Sequence, residues 1–231
     1  MRKACIIHFR ACWLFCYVPL HKIRHGDKAD ATIILTALGV DVTGNKEVLA
    51  LRACAEEDKE GWACLLQDLR ARGATQIDLI VTDGHDGLLA AVKELFTATP
   101  HQRCLLHKQR NVLAAIPRRE RSVVQAELVG IWEQPTKQEA LLQLAAFKAK
   151  YSKRYPEAIR SLTEGAEQTF TFYDFPQSMH RHIRTTNALE SLFSNVRQRT
   201  DQIDVFTTED SCLTIVWATI QDIRLHKISL E

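Results

Sequence analysis

Two carboxylates in this sequence stand where side chains could gather divalent cations. Asp83 follows the apolar run Ile77 to Val81 (IDLIV) and precedes Gly84 and His85, and the carboxyl end of a buried strand is where open α/β sheets collect ligands. Glu190 lies in the first turn of a helical segment in which Leu189, Leu192, Phe193 and Val196 form the apolar stripe, with Glu190, Ser194 and Arg197 together beside it. Cleaving or transferring a phosphodiester with divalent metal requires carboxylates from different elements to converge on two cations about 4 Å apart. Mg²⁺ favours such hard oxygen ligands. Each carboxylate also has a structural reading. Asp83 has the right type and place to cap the helix that follows, and Glu190, three residues after Asn187, has the spacing of a capping box at a positive helix end.

Other chemistry-bearing residues cluster nearby. Cys104 and His107 have the spacing of one helical turn, but a zinc site needs two further ligands and the sequence offers none at suitable spacing. Between Arg103 and Arg121 six basic residues, among them Lys108 and Arg110, face one acid, Glu120. From Arg181 to Arg199 four arginines face one acid, Glu190. The net charge of the whole chain is +2, which excludes a polycation that binds nucleic acid by bulk charge and leaves local clusters to do so. Seven irregularly spaced cysteines in 231 residues read as free thiols of a reducing cytosol. The apolar start is followed by His21, Lys22 and Arg24 with no small-residue cleavage site, against a signal peptide, and no apolar run reaches membrane-spanning length.

The elements that must position these groups follow from periodicity. Short apolar runs at Trp13 to Leu20, Thr32 to Val40 and Glu47 to Leu51, joined by short connections, predict adjacent antiparallel strands. Glu57 to Arg72 carries Trp62, Leu65, Leu66 and Leu69 on one face and ends at Gly73, the pattern of a capped helix. Ile77 to Val81 is a further strand, and a helix with Leu88, Leu89, Val92, Leu95 and Phe96 on one side follows Asp83. Gln102 to Leu106 reads as a short fifth strand before a basic helix. Ser122 to about Glu167 is wholly helical, and helices over Asn187 to Arg199 and Glu209 to Leu225 complete the chain. The composite is an α/β fold, a mixed sheet with flanking helices and an all-α insertion. With 46% hydrophobic residues it can bury a large core.

Three long segments carry a resemblance. VTDGHDGLLAAV (Val81 to Val92), HQRCLLHKQRN (His101 to Asn111) and RTTNALESLFSNVRQRT (Arg184 to Thr200) resemble the signature segments of the mutator family of bacterial insertion-sequence transposases. Their order, and the 107 residues from Asp83 to Glu190, are similar as well. The resemblance covers roughly residues 13 to 225. It implies a ribonuclease-H-like core in two parts, residues 1–121 and 176–231, around an α-helical insertion at 122–175. It implies a carboxylate triad holding Mg²⁺ or Mn²⁺ in a two-metal site, with Asp83 second and Glu190 third, for DNA strand cleavage and strand transfer. Cys104 and His107 match the family's Cys-x-x-His element. Lys108, Arg110, Arg184, Asn187, Arg197 and Arg199 match positions where contact with DNA phosphates fits. Trp132 resembles an insertion-domain aromatic able to stack on an unpaired base, although its apolar setting reads as core. The partners implied are DNA of the element ends and target and further copies of the chain, in the bacterial cytoplasm.

The sequence departs from the family pattern at its start. The first triad aspartate belongs a few residues before a Lys-aliphatic-Arg element, here Lys22-Ile23-Arg24, and Tyr17 stands at that position. A phenol is neutral at pH 7 and a weak ligand for Mg²⁺. Asp27 and Asp30, expected in the turn after the first strand, and Asp41, beyond the next strand, are the acids nearby. The alternative to an active transposase is therefore an inactive, truncated remnant that binds DNA or partner transposase. Residues Met1 to Leu20 are rich in cysteine and aromatics and match the family poorly, as a shifted reading frame would.

Overall fold

A computed structural model describes the backbone of residues 11–17, 20–25 and 28–228, and the side chains of 22–24 and 30–228. Two compact units emerge, one built from Met1–Pro100 with Thr186–Glu231 and the other from His101–Thr185. The first unit opens with strands β1 (Ala11–Tyr17), β2 (Leu20–His25), β3 (Lys28–Asp41) and β4 (Lys46–Cys54). Helix α1 (Lys59–Ala71), strand β5 (Ile77–Thr82) and helix α2 (Asp86–Leu95) follow.

Strand β3 is the hub of its sheet. Ile33 is opposite Leu20 in one ladder and Cys54 in the other, so β2 and β4 lie on opposite edges of β3. Thr36 is likewise shared by Tyr17 and Leu51. Pairing steps evenly from Tyr17 opposite Thr36 to Leu20 opposite Ile33, so β1 and β2 are two parts of one strand line against the same edge. β5 runs parallel to β1 on its other side, Phe15 level with Val81. The resulting order β4, β3, β1/β2, β5 is a mixed sheet, as the strand and helix order predicts. Asp30, expected in a turn, is paired with Ile23 inside β3, whereas Asp27 lies outside the described residues.

One face of this sheet carries α1 and α2. Leu35, Ala37, Leu49 and Ile80 from the strands meet Trp62, Leu65, Leu66 and Leu69 of α1 and Leu88, Ala91 and Val92 of α2 in one buried cluster. Asp58 caps α1 by accepting from Gly61 N at 2.7 Å. Gly73, at φ 107°, reverses the chain after it, as only glycine does without strain.

The second unit holds the short strand β6 (His101–Arg103) and helices α3 (Leu105–Ala114), α4 (Arg121–Trp132), α5 (Lys137–Tyr151), α6 (Pro156–Thr163) and α7 (Gln177–Ile183). α3 packs on α6, and α4 on α5. Val124, Leu128, Ile131, Phe147, Leu162, Phe170 and Phe172 are buried. Trp132 is part of this interior, 4% exposed, with its indole N–H donating to Thr169 Oγ1 at 3.2 Å; it is a core residue.

The chain then returns to the first unit as α8 (Asn187–Thr200) and α9 (Glu209–Asp222). α8 packs against β1 and α9 against β4, and the alternate residues of β3, Ile34, Thr36, Leu38 and Val40, are also fully buried. β3 is therefore covered on both faces, which explains its continuous apolar run. Leu189, Leu192, Phe193 and Val196 are the buried stripe of α8. Thr208 closes a capping box with Ser211 at the start of α9.

Candidate functional site

The turn after β5 is built around Asp83. Thr82 is buried and its hydroxyl accepts from Gly84 N at 3.1 Å. Gly84, at φ 94°, lets the chain double back, and His85 N donates to Asp83 Oδ1 at 3.1 Å. His85, not Asp83, is the N-cap of α2, so the carboxylate stays half-exposed at the strand end. Gly87 supplies the fit below it: a Cβ there would lie 2.8 Å from the Asp58 carbonyl carbon. α2 thereby starts directly against the loop before α1.

That contact delivers a residue the sequence reading missed. Glu57 Oε1 accepts the Trp62 indole N–H at 3.0 Å and lies 3.4 Å from His85 Nδ1. Burial raises the Glu57 carboxyl above the ordinary range; the Trp62 hydrogen bond and His85 oppose this, and the charge of Asp83 adds to it. The acid is thus part of the Asp83 surroundings. Its sole sequence signal is Trp62 five residues on, which fits a core helix equally well.

Position 17 falls level with Asp83. The parallel register runs from Ala11 beside Ile77 to Phe15 beside Val81, and two more residues set Tyr17 beside Asp83. Glu190 belongs to α8, the helix packed on β1. It is half-buried, and its Oε1 accepts from Thr186 Oγ1 at 3.2 Å. Thr186 is the N-cap and Asn187 the first helical residue, so Asn187 and Glu190 are not the two ends of a capping box. Asp83 and Glu190 offer the hard oxygen donors that Mg²⁺ or Mn²⁺ takes, and both lie in the first unit. Tyr17, at the position where the resemblance expects a further aspartate, is the last residue of β1. Asp41 does not make up the set, because its carboxylate accepts from Thr43 N at 2.8 Å, the Thr43 hydroxyl at 2.7 Å, Asn45 N at 2.9 Å and Asn45 Nδ2 at 3.0 Å.

The remaining expected residues are spread over both units. On α8, Asn187, Arg197 and Arg199 are exposed, and Arg199 Nη1 reaches Asp222 Oδ2 of α9 at 3.5 Å. In the helical unit Cys104 is the buried N-cap of α3, and His107 stands in the first turn of the same helix. Arg110 is exposed; Arg184 is half-buried after α7, with its carbonyl accepting from Leu105 N at 2.9 Å. Lys108, expected against DNA, is instead 1% exposed, its ammonium donating to the carbonyls of Ser161 at 2.6 Å and Glu164 at 2.5 Å. Burial, with a contribution from Arg103, pushes it down to about 8.

Sheet, flanking helices and an acidic strand end define a mixed α/β protein with a carboxylate-bearing site. Residues 10–227 match the family described as Transposase, Mutator family, and the chain belongs to that family. Similar proteins include the transposase for insertion sequence element ISRM5 of Rhizobium meliloti (strain 1021), 34% identical over 197 residues, 85% of this chain and 50% of the relative. The transposase for IST2 of Acidithiobacillus ferrooxidans is 36% identical over 85% of this chain and 67% of its own length. The transposase for IS6120 of Mycolicibacterium smegmatis is 39% identical over 72% and 52%. The chain thus spans about half to two thirds of the length of these relatives. No helix among the described residues is long and apolar enough to cross a membrane.

Proposed function

We propose that the chain is the catalytic portion of an insertion-element transposase, which cleaves DNA at the element ends and transfers the strands to target DNA. Three positions support this reading: Asp83 at the carboxyl end of β5, position 17 level with it on the parallel neighbour β1, and Glu190 on the helix packed against β1. The order β4, β3, β1, β5, with β1 and β5 parallel, supports a ribonuclease-H-like core; the insertion expected at 122–175, between core parts 1–121 and 176–231, falls inside the helical unit His101–Thr185. Asp83 and Glu190 would hold Mg²⁺ or Mn²⁺, which when bound stabilises the attacking and leaving oxygens of the phosphodiester. Arg110, Arg184, Asn187, Arg197 and Arg199 supply phosphate contacts that position DNA without reading its sequence. The working form is a homo-oligomer in the bacterial cytoplasm.

A second reading is favoured by one observation, Tyr17 level with Asp83. On it this copy binds DNA or partner transposase and does not cut. Cleavage of element-end DNA with Mn²⁺, by the chain and by its Tyr17→Asp variant, separates the two. Cutting by the unaltered chain supports the first reading; cutting by Tyr17→Asp alone supports the second. Neither protein cutting counts against the triad assignment.

A further inference from the structure

Strand β2 carries two cations whose arrangement the carboxylate site does not explain. Lys22 and Arg24 are exposed, whereas Ile23 between them is completely buried. The two side chains therefore leave the same face of the strand, with Cα atoms about 6.6 Å apart. Among the described residues neither the Lys22 ammonium nor the Arg24 guanidinium has an ion-pair or hydrogen-bond partner.

The backbone beneath them is braced on both sides. One edge of β2 pairs with β3. On the other, Ile23 forms a parallel bridge with Phe206, in which Phe206 N donates to Lys22 O at 3.0 Å and Arg24 N to Phe206 O at 2.8 Å. Phe206 is 3% exposed, so the bridge is anchored in the core. Lysines on strand edges often serve to block unwanted pairing, but this edge is already closed by Phe206. What is left is a rigid base presenting two positive charges with no bonded partner among the described residues, and such preorganisation lowers the ordering cost of binding an anion.

Beside Lys22 lies an open cavity of about 230 Å³, lined by Arg197, Thr200, Asp201, Ile203, Asp204 and Phe206 as well as Lys22. Asp201 and Asp204 disfavour an anion inside it. The charge pattern therefore directs a polyanion to the outer rim, along Lys22 and Arg24.

We propose that Lys22 and Arg24 form a sequence-independent contact with the phosphate backbone of DNA, a surface additional to the arginines of α8. The inference rests on the reading of the chain as a DNA-binding transposase core. Because the contact is electrostatic, each cation neutralising a phosphate contributes about 0.9 to the slope of log affinity against log salt.

The test is binding of a random-sequence 30-base-pair duplex by the full chain over a range of NaCl concentrations. Lys22→Ala and Arg24→Ala are each expected to flatten the slope by about one, equally on unrelated duplexes, while Lys93→Ala, an exposed lysine on α2, leaves it unchanged. Slopes for both β2 variants equal to that of the unaltered chain would overturn the proposal while DNA binding itself stands. So would an equal flattening by Lys93→Ala, which would mean that any surface cation suffices. If the unaltered chain shows no salt-dependent binding, the DNA-binding reading fails and this surface with it.

Discussion

The Lys108 ammonium sits between two carbonyls at the C-terminal end of α6, where the negative end of the helix favours a cation. Replacing Lys108 by methionine keeps the apolar stem and leaves both carbonyls without their donor, so a loss of about 1–3 kcal/mol in unfolding free energy is expected. The pH dependence has a definite sign. Lys108 holds its proton less tightly in the folded protein, about 8 against 10.5 for an ordinary lysine. Between those values the unfolded chain binds more protons, so this residue's contribution to stability grows as the pH rises from about 8 towards 10.5. The stability difference between the unaltered chain and Lys108→Met, followed by urea unfolding, should widen over that range and stay constant below it. At this scale the sequence exposes some roles and hides others. Asp83 is legible because its strand and glycine turn are local, and the stripe of α8 shows that Glu190 lies beside it. Lys108 sits in a basic run that reads as surface, and its burial depends on carbonyls more than fifty residues away. Glu57 is hidden for the same reason, since its tie to His85 depends on how α2 meets the loop before α1.

Elements were read well where a side-chain period was strong. α1 and α8 bury every residue that their spacing predicts, whereas α2 buries Leu88 and Val92 and leaves Leu89 and Leu95 half-buried. β2 is not legible because LHKIRH has no simple apolar and polar alternation; among its described side chains, those of Lys22 to Arg24, Ile23 is the buried one. α7 has no apolar period to announce it, since QSMHRHI buries Ile183 alone. Thr43-Gly44-Asn45 has the composition of the tight turn that joins β3 and β4, but nothing in it marks a second task. Ile228 N donates to Gly44 O at 2.9 Å, and a Cβ on Gly44, at φ 84°, would collide with the Ile228 carbonyl. Gly44→Ala should therefore cost about 1–3 kcal/mol and loosen the segment after α9. Hydrogen exchange at the Ile228 amide reports the second effect; protection equal to that of the unaltered chain would refute it.

For the whole molecule, the fold class followed from the order of strands and helices, and the strand order from register. The division at His101 and Thr185 was not visible, because no glycine- or proline-rich linker marks either end. The proposed function assigns Asp83 and Glu190 to one carboxylate set whose third place, level with Asp83, is held by Tyr17. Binding of Mn²⁺ by the chain, by Tyr17→Asp and by the Tyr17→Asp, Asp83→Asn double variant, measured by calorimetry, tests it directly. Restoring the carboxylate should tighten Mn²⁺ binding at least tenfold, and removing Asp83 should abolish the gain. Equal binding by all three proteins, or a gain in Tyr17→Asp that survives the loss of Asp83, would contradict the account.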